Sequence, residues 1–137
     1  MYYNKHNSLL KSLFQKLAIL TLGVNYGQVR LNILYDKCIM GNCYYPKDKL
    51  IEFNYYTIKL RIKKGYSDDY YEGRRQKINN IIHNNKKKCL RFILLHELYH
   101  HKQRHFQKKG SDYPRAIRER EADDFAINTL QKKAYNV

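Results

Sequence analysis

Apolar residues recur at Leu9, Leu10, Leu13, Phe14, Leu17, Ala18 and Leu20, the spacing of one helical face, and predict a helix over Ser8 to Leu22. Asn7 or Ser8 is the expected N-cap. The stripe suits docking onto a core better than lying on a membrane surface. From Gln28 to Tyr35 the pattern changes to alternation, with Val29, Leu31, Ile33 and Tyr35 on one side, which predicts a half-buried strand. Gly41, Asn42 and Pro46 mark Asp36 to Asp48 as a turn region. Leu50 to Ile62 reads as one bent strand or two short ones, because Ile51, Phe53 and Tyr55 share one parity and Ile58, Leu60 and Ile62 the other. A bulge or turn is expected near Tyr56 and Thr57. Between Lys63 and Lys88 the periodicity fails. Gly65, Ser67, Asp68, Asp69 and Gly73 suggest a loop, and Gln76 to His83 fits a short helix.

Leu90 to Leu98 is apolar on nearly every side of a helical wheel, the mark of a helix buried all round. Inside it sit His96, Glu97 and His100. Burying such groups is costly unless they are hydrogen-bonded or hold a metal. They form the pattern HExxH, which places two imidazoles four residues apart on one face, within reach of one ion. Glu97 projects about 100° away, where it can meet a water on the ion but cannot join both histidines as a ligand. Zinc in such a site lowers the pKa of its water to about 7, and the glutamate takes the proton.

A hydrolytic zinc needs a third protein ligand. Gly110 is the expected stop of the histidine helix, and Pro114 fits the first turn of the next. On that next helix Glu119, Ala122, Asp123 and Ala126 share a face. Two alanines allow close approach of a neighbouring helix, Glu119 points at the gap, and Asp123 sits one turn on, where it can support a histidine ring. Glu121 is expected to face solvent or to pair with an arginine. His101 and His105 read as surface histidines. Cys89, two turns before His96, reads as core packing, and Cys38 with Cys43 makes only a weak zinc-knuckle pattern.

Composition adds a partner question. The 137 residues carry 27 Lys and Arg against 12 Asp and Glu, a net charge of +15. This favours anionic partners, and non-specific nucleic-acid binding through a basic surface is one expectation. Abundant Lys, Asn, Ile and Tyr also fit an A·T-rich codon bias, and both causes can hold together. Three cysteines, an odd number, beside a start without a secretory-signal pattern point to the cytoplasm rather than to a disulfide framework. No apolar run reaches the roughly 18–20 residues of a membrane span, so no membrane association is expected.

HELYH followed after 18 residues by the E-x-E-A-D-x-F-A pattern of Glu119 to Ala126 resembles the gluzincin-type zincin metallopeptidases, most closely the small ImmA/IrrE-like group. HtpX-type peptidases share a similar ligand helix. The resemblance covers about Tyr44 to Leu130, and Tyr44-Tyr45-Pro46 with Ile51 to Asn54 is similar to the hairpin and strand before the metal helix. It implies Zn2+ held by His96, His100 and Glu119, Glu97 as the general base, and Asp123 as a partner behind a ligand. Tyr99 departs from the small residue usual before the second histidine and is expected to crowd the site. The short tail after the ligand helix leads to the expectation of no separate sensory domain.

The expected fold is α+β: one minimal zincin-like domain over residues 1–137 with an N-terminal helix, a small mostly antiparallel sheet, the buried HExxH helix and the glutamate helix. The expected function is zinc-dependent hydrolysis of peptide bonds in a selected protein or peptide substrate, which would pair along Ile51 to Tyr55 as a sheet edge. The alternatives are a protease acting on DNA-associated proteins and a catalytically silent, zinc-stabilised binding module.

Overall fold

The first helix begins before its apolar stripe does. In the computed structural model, which describes residues 2–24, 29–37, 41–64, 74–110 and 112–135, α1 spans Tyr2–Leu22. Asn7 therefore lies inside the helix rather than capping it, and its Oδ1 accepts a 2.8 Å hydrogen bond from the Tyr35 hydroxyl. Leu10, Phe14, Leu17 and Ala18 are buried, so the stripe docks on the core. Gly23, at φ +90°, ends the helix by turning its N–H back to the Ile19 carbonyl at 2.8 Å.

Strand β1 (Arg30–Leu34) pairs in parallel with β3 (Leu50–Asn54), and β2 (Cys43–Tyr45) pairs antiparallel with β3. The order is β1-β3-β2, a mixed sheet rather than a mostly antiparallel one. The parallel pairing of β3 with β1 makes the difference. Lys49 at φ 48° donates its N–H to the Pro46 carbonyl, closing the turn that lays β3 antiparallel to β2. Ile51 and Phe53 on the central strand are fully buried. Ile51 to Tyr55 is therefore not the sheet edge that the sequence suggested; β2 is an edge.

The second half of the expected strand pair is a helix, α2 (Tyr56–Lys64). Asn54 is the cause. Its buried side-chain oxygen accepts from the backbone N–H of Asp36 at 3.1 Å and of Tyr56 at 3.3 Å, while its amide donates to the Asp36 carbonyl at 2.8 Å. The Thr57 hydroxyl donates to the Asn54 carbonyl at 2.7 Å. These bonds close a turn that starts a helix, and Ile58 and Ile62 are then one turn apart on the face packed against the core.

Helix α3 (Arg74–Ile82) matches the short helix expected there, whereas the loop expected over residues 65–73 and Cys38 lie outside the described residues. Asn85 caps α4 (Lys86–His101), its side chain accepting from the Lys88 N–H at 3.0 Å. Around α4 lie α1, α2, α3, β2, β3 and α5 (Arg115–Leu130). Cys89, Phe92, Ile93, Leu94, Leu95 and Leu98 are all buried, as an all-round apolar helix requires. Burial pushes the Cys89 thiol up to about 11, in keeping with core packing. Helix α4 does not run to Gly110. It widens into a π-helical turn over Lys102–Phe106 with Gln107 N–H bonded to the Lys102 carbonyl, and Lys108 takes φ 57°. Pro114 is the N-cap residue of α5 rather than part of its first turn. Among the described residues no helix is long and apolar enough to cross a membrane.

Asn54→Ala is expected to destabilise the protein by about 2 kcal/mol, since it removes a hydrogen-bond partner from a part-buried carbonyl and two part-buried N–H groups. Asn54→Asp keeps the acceptor and loses the donor, so it should fall between the two. Urea unfolding of the three proteins measures this, and equal midpoints for Ala and wild type would refute the role of Asn54.

Candidate metal centre

Four-residue spacing on a regular helix brings the HExxH imidazoles together. The Nε2 atoms of His96 and His100 are 3.1 Å apart. Helix α5 delivers Glu119 to the same point: its Oε2 is 2.5 Å from Nε2 of His100 and 3.4 Å from Nε2 of His96. Ala122 and Ala126, both fully buried, form the small-residue face that lets the two helices approach. The three side chains expected as ligands thus meet, and their ligand atoms lie within 4.8 Å of one another, a group that could hold a metal ion.

The outer ring nitrogens fix what the inner ones offer. Nδ1 of His96 is 2.9 Å from Oδ1 of Asp123, the partner expected behind it. Nδ1 of His100 is 3.0 Å from Oε1 of Gln103. The amide nitrogen of Gln103 is committed to two acceptors, the Arg118 carbonyl and Glu121 Oε1, each at 3.1 Å, so its oxygen must face the imidazole. Both Nδ1 atoms therefore carry hydrogens when the rings are neutral, and both Nε2 lone pairs point at a carboxylate oxygen. Three acceptors facing one another need a cation or a proton between them. This donor set fits zinc, whose usual ligands are imidazole nitrogen and carboxylate oxygen.

Without a metal, protons fill that role. Burial opposes charge on His96, but the Asp123 and Glu119 carboxylates outweigh it and raise its pKa well above the usual value. Burial also opposes the Glu119 anion, yet hydrogen bonds from His100 and His96 hold its carboxyl well below the usual carboxylate range. Glu97 stays outside the triad. It is 8% exposed, and burial raises its pKa despite the two nearby imidazoles.

Glu97, His100 and Glu119 line a cleft of about 340 Å³ that also takes in Asn42, Cys43, Tyr44 and Pro46 around the edge strand β2. The Tyr44 hydroxyl is 2.6 Å from Nδ1 of His101, and His105 donates to the Pro46 carbonyl at 3.0 Å. His101 is fully buried, and neither histidine is the surface group that was expected: together they fasten β2 and its turn to α4 and the π-helical turn after it.

Tyr99 does not crowd the site, because it turns away to stack on Phe125 with ring centroids 4.7 Å apart. Glu121 is part-buried, and among the described residues no ion pair joins it to an arginine. Its two oxygens accept from Gln103 and, at 2.9 Å, from the Tyr113 hydroxyl. Gln103 was missed in the sequence; its position three residues after His100 is the signal that could have found it.

These shifts set the pH dependence of the metal-free protein. The stabilisation from Glu119 is present above its ordinary pKa of 4.5 and lost as pH falls through the depressed folded value. That from His96 is complete below 6.5 and lost as pH rises through the raised folded value. Glu97, with a raised pKa, also loses stabilisation as pH rises. Thermal unfolding in a chelator is expected to show greatest stability between 4.5 and 6.5 and a decline toward higher pH. Stability climbing steadily through neutral pH into the alkaline range would contradict this electrostatic account.

No curated protein and no solved structure matches the chain. The profile of the family described as Peptidase U49 matches residues 62–137, more than half of the chain and all of the segment that carries the converging ligand atoms, and the chain belongs to that family.

Proposed function

We propose that the protein is a zinc-dependent metallopeptidase that cleaves peptide bonds in a selected protein substrate, with His96, His100 and Glu119 holding the ion. Membership of a peptidase family supports proteolysis. The observation that carries the metal reading is the meeting of two Nε2 lone pairs and a carboxylate oxygen, with each imidazole oriented from behind by Asp123 or Gln103. Zinc in such a site polarises a carbonyl and lowers the pKa of water to about 7.

The protein's own groups do the rest. Glu97 borders the cleft beside His100 and Glu119 without joining the triad, the position of a general base. Burial raises its proton affinity, so its carboxyl can hold the proton taken from the attacking water and return it to the leaving amine. Asp123 and Gln103 keep the imidazoles in the tautomer that offers Nε2. An extended substrate can pair with the backbone of β2 along the cleft, not with the central strand β3.

The purified protein is expected to bind one zinc per chain, and Ala at His96, His100 or Glu119 should reduce metal content and stability together. Glu97→Gln should keep the metal and lose about 10²–10⁴-fold in kcat. Gln103→Ala should weaken zinc binding by about 10–100-fold. Metal analysis and peptide cleavage assays check these outcomes. A fully active Glu97→Gln protein would refute the general-base assignment, absence of cleavage by the zinc-loaded wild type would refute the enzyme reading, and retention of full zinc by the Glu119→Ala protein would refute the ligand assignment.

A further inference from the structure

The cleft beside the candidate metal ligands has a basic lining that the proposed metal chemistry does not use. Arg104 comes from the π-helical turn, Lys109 from the loop after it, and Arg115 and Arg118 from the first turn of α5. The carboxylates lining the same cleft are Glu97 and Glu119, and Glu119 is already engaged by two imidazoles. Glu121, the acid best placed in sequence to neutralise Arg118, has both oxygens occupied by Gln103 and Tyr113. Among the described residues no carboxylate pairs with the guanidinium of Arg104 or Arg118, although both residues are half-buried. The backbone of Arg118 is fixed by the Gln103 amide, and the Lys109 ammonium sits over the Tyr113 ring at 4.8 Å. Arg104, Lys109 and Arg118 are part-buried where they line the cleft, and Arg115 is exposed at it.

We propose that this lining selects a substrate carboxylate close to the scissile bond, with Arg104 and Arg118 as the specificity-determining residues. The proposal rests on the metallopeptidase reading and names its substrate class: peptides with an acidic group at the cleavage site. Arginine forks match a carboxylate with two parallel hydrogen bonds, and a recessed cleft strengthens that pairing relative to open surface. Position sets the reach. Arg104 lies four residues after His100, and Arg118 directly precedes Glu119. One helical turn is about 5.4 Å, and an extended peptide advances about 3.3 Å per residue. The recognised carboxylate therefore falls within about two residues of the bond that is cut. It can be an Asp or Glu side chain or the C-terminus of the substrate, and the two sources are separable by experiment.

The test uses one fluorogenic peptide frame. In the first arm, C-terminally amidated peptides carry Glu or Gln at each position around the cleaved bond. In the second, a peptide without acidic side chains carries a free or an amidated C-terminus. The kcat/KM of the zinc-loaded protein and the Kd of the zinc-loaded Glu97→Gln protein are measured for each. The expected result is a preference of about tenfold or more for a carboxylate in one arm, which identifies its source. Arg104→Gln combined with Arg118→Gln should erase the preference. Lys59→Gln combined with Lys77→Gln, which removes equal charge from exposed positions outside the cleft, should retain it.

Equal handling of all peptides by the wild-type protein would overturn the proposal and leave the peptidase reading standing. A carboxylate preference in the Glu97→Gln binding data without cleavage by wild type would support the subsite and defeat the peptidase reading. Peptides handled equally, while a single-stranded oligonucleotide binds the double arginine variant about tenfold more weakly than wild type, would assign the cations to phosphate and overturn the proposal.

Discussion

Two imidazoles inside a helix that is buried on every side set the terms for the rest of this structure. Helix α4 must bury Phe92, Ile93, Leu94, Leu95 and Leu98 while keeping His96 and His100 hydrogen-bonded, since an unsatisfied polar group in that position costs about 1–3 kcal/mol. Only a neighbour that supplies acceptors at the right height meets both demands. Helix α5 does so with Glu119 and Asp123 on the same face as Ala122 and Ala126. The small side chains bring the backbones close, and the carboxylates use the proximity. Packing and candidate chemistry here are one constraint: a bulky residue at Ala122 would separate the helices and the ligand atoms together.

The sheet serves the same centre from the other flank. Because β3 folds back between β1 and β2, the short strand β2 is left as an edge at the cleft. Three residues of pairing hold a strand weakly, so its position depends on side chains. Tyr44 meeting His101 and His105 meeting the Pro46 carbonyl tie the strand and its turn to α4 and the π-helical turn after it. The π-helical turn after α4 carries Gln103 and His105, so one local widening of the helix serves both the His100 imidazole and the strand anchor.

Much of this was legible in the sequence wherever the signal was local and periodic. The α1 stripe, the buried α4, the convergence of His96, His100 and Glu119, and an aspartate behind one of the two imidazoles follow from spacing on helices. The losses came where a long-range polar contact overrode parity. Ile58, Leu60 and Ile62 satisfy strand alternation, but Ile58 and Ile62 also satisfy a helical turn, and the bonds of Asn54 to Asp36 and Tyr56 decide between them. Strand order was equally hidden, since alternation tells which face is buried and not which neighbour lies alongside. His101 looked like a surface group because its partner, Tyr44, is 57 residues away.

The two candidate ligand histidines are not supported alike, and the difference connects the centre to the loop before α5. His96 is backed by a carboxylate, which enriches the ring and favours a cation in front of it. His100 is backed by a neutral amide that can face it in one orientation only, because Gln103 must also satisfy Glu121 and the Arg118 carbonyl. Glu121 in turn is held by Tyr113 from the loop. A chain of hydrogen bonds therefore runs from Tyr113 through Glu121 and Gln103 to His100, and its one carboxylate accepts from two neutral donors. The same bonds that orient the imidazole leave the cleft basic. Ring orientation and cleft charge are consequently set together by where Glu121 spends its two oxygens.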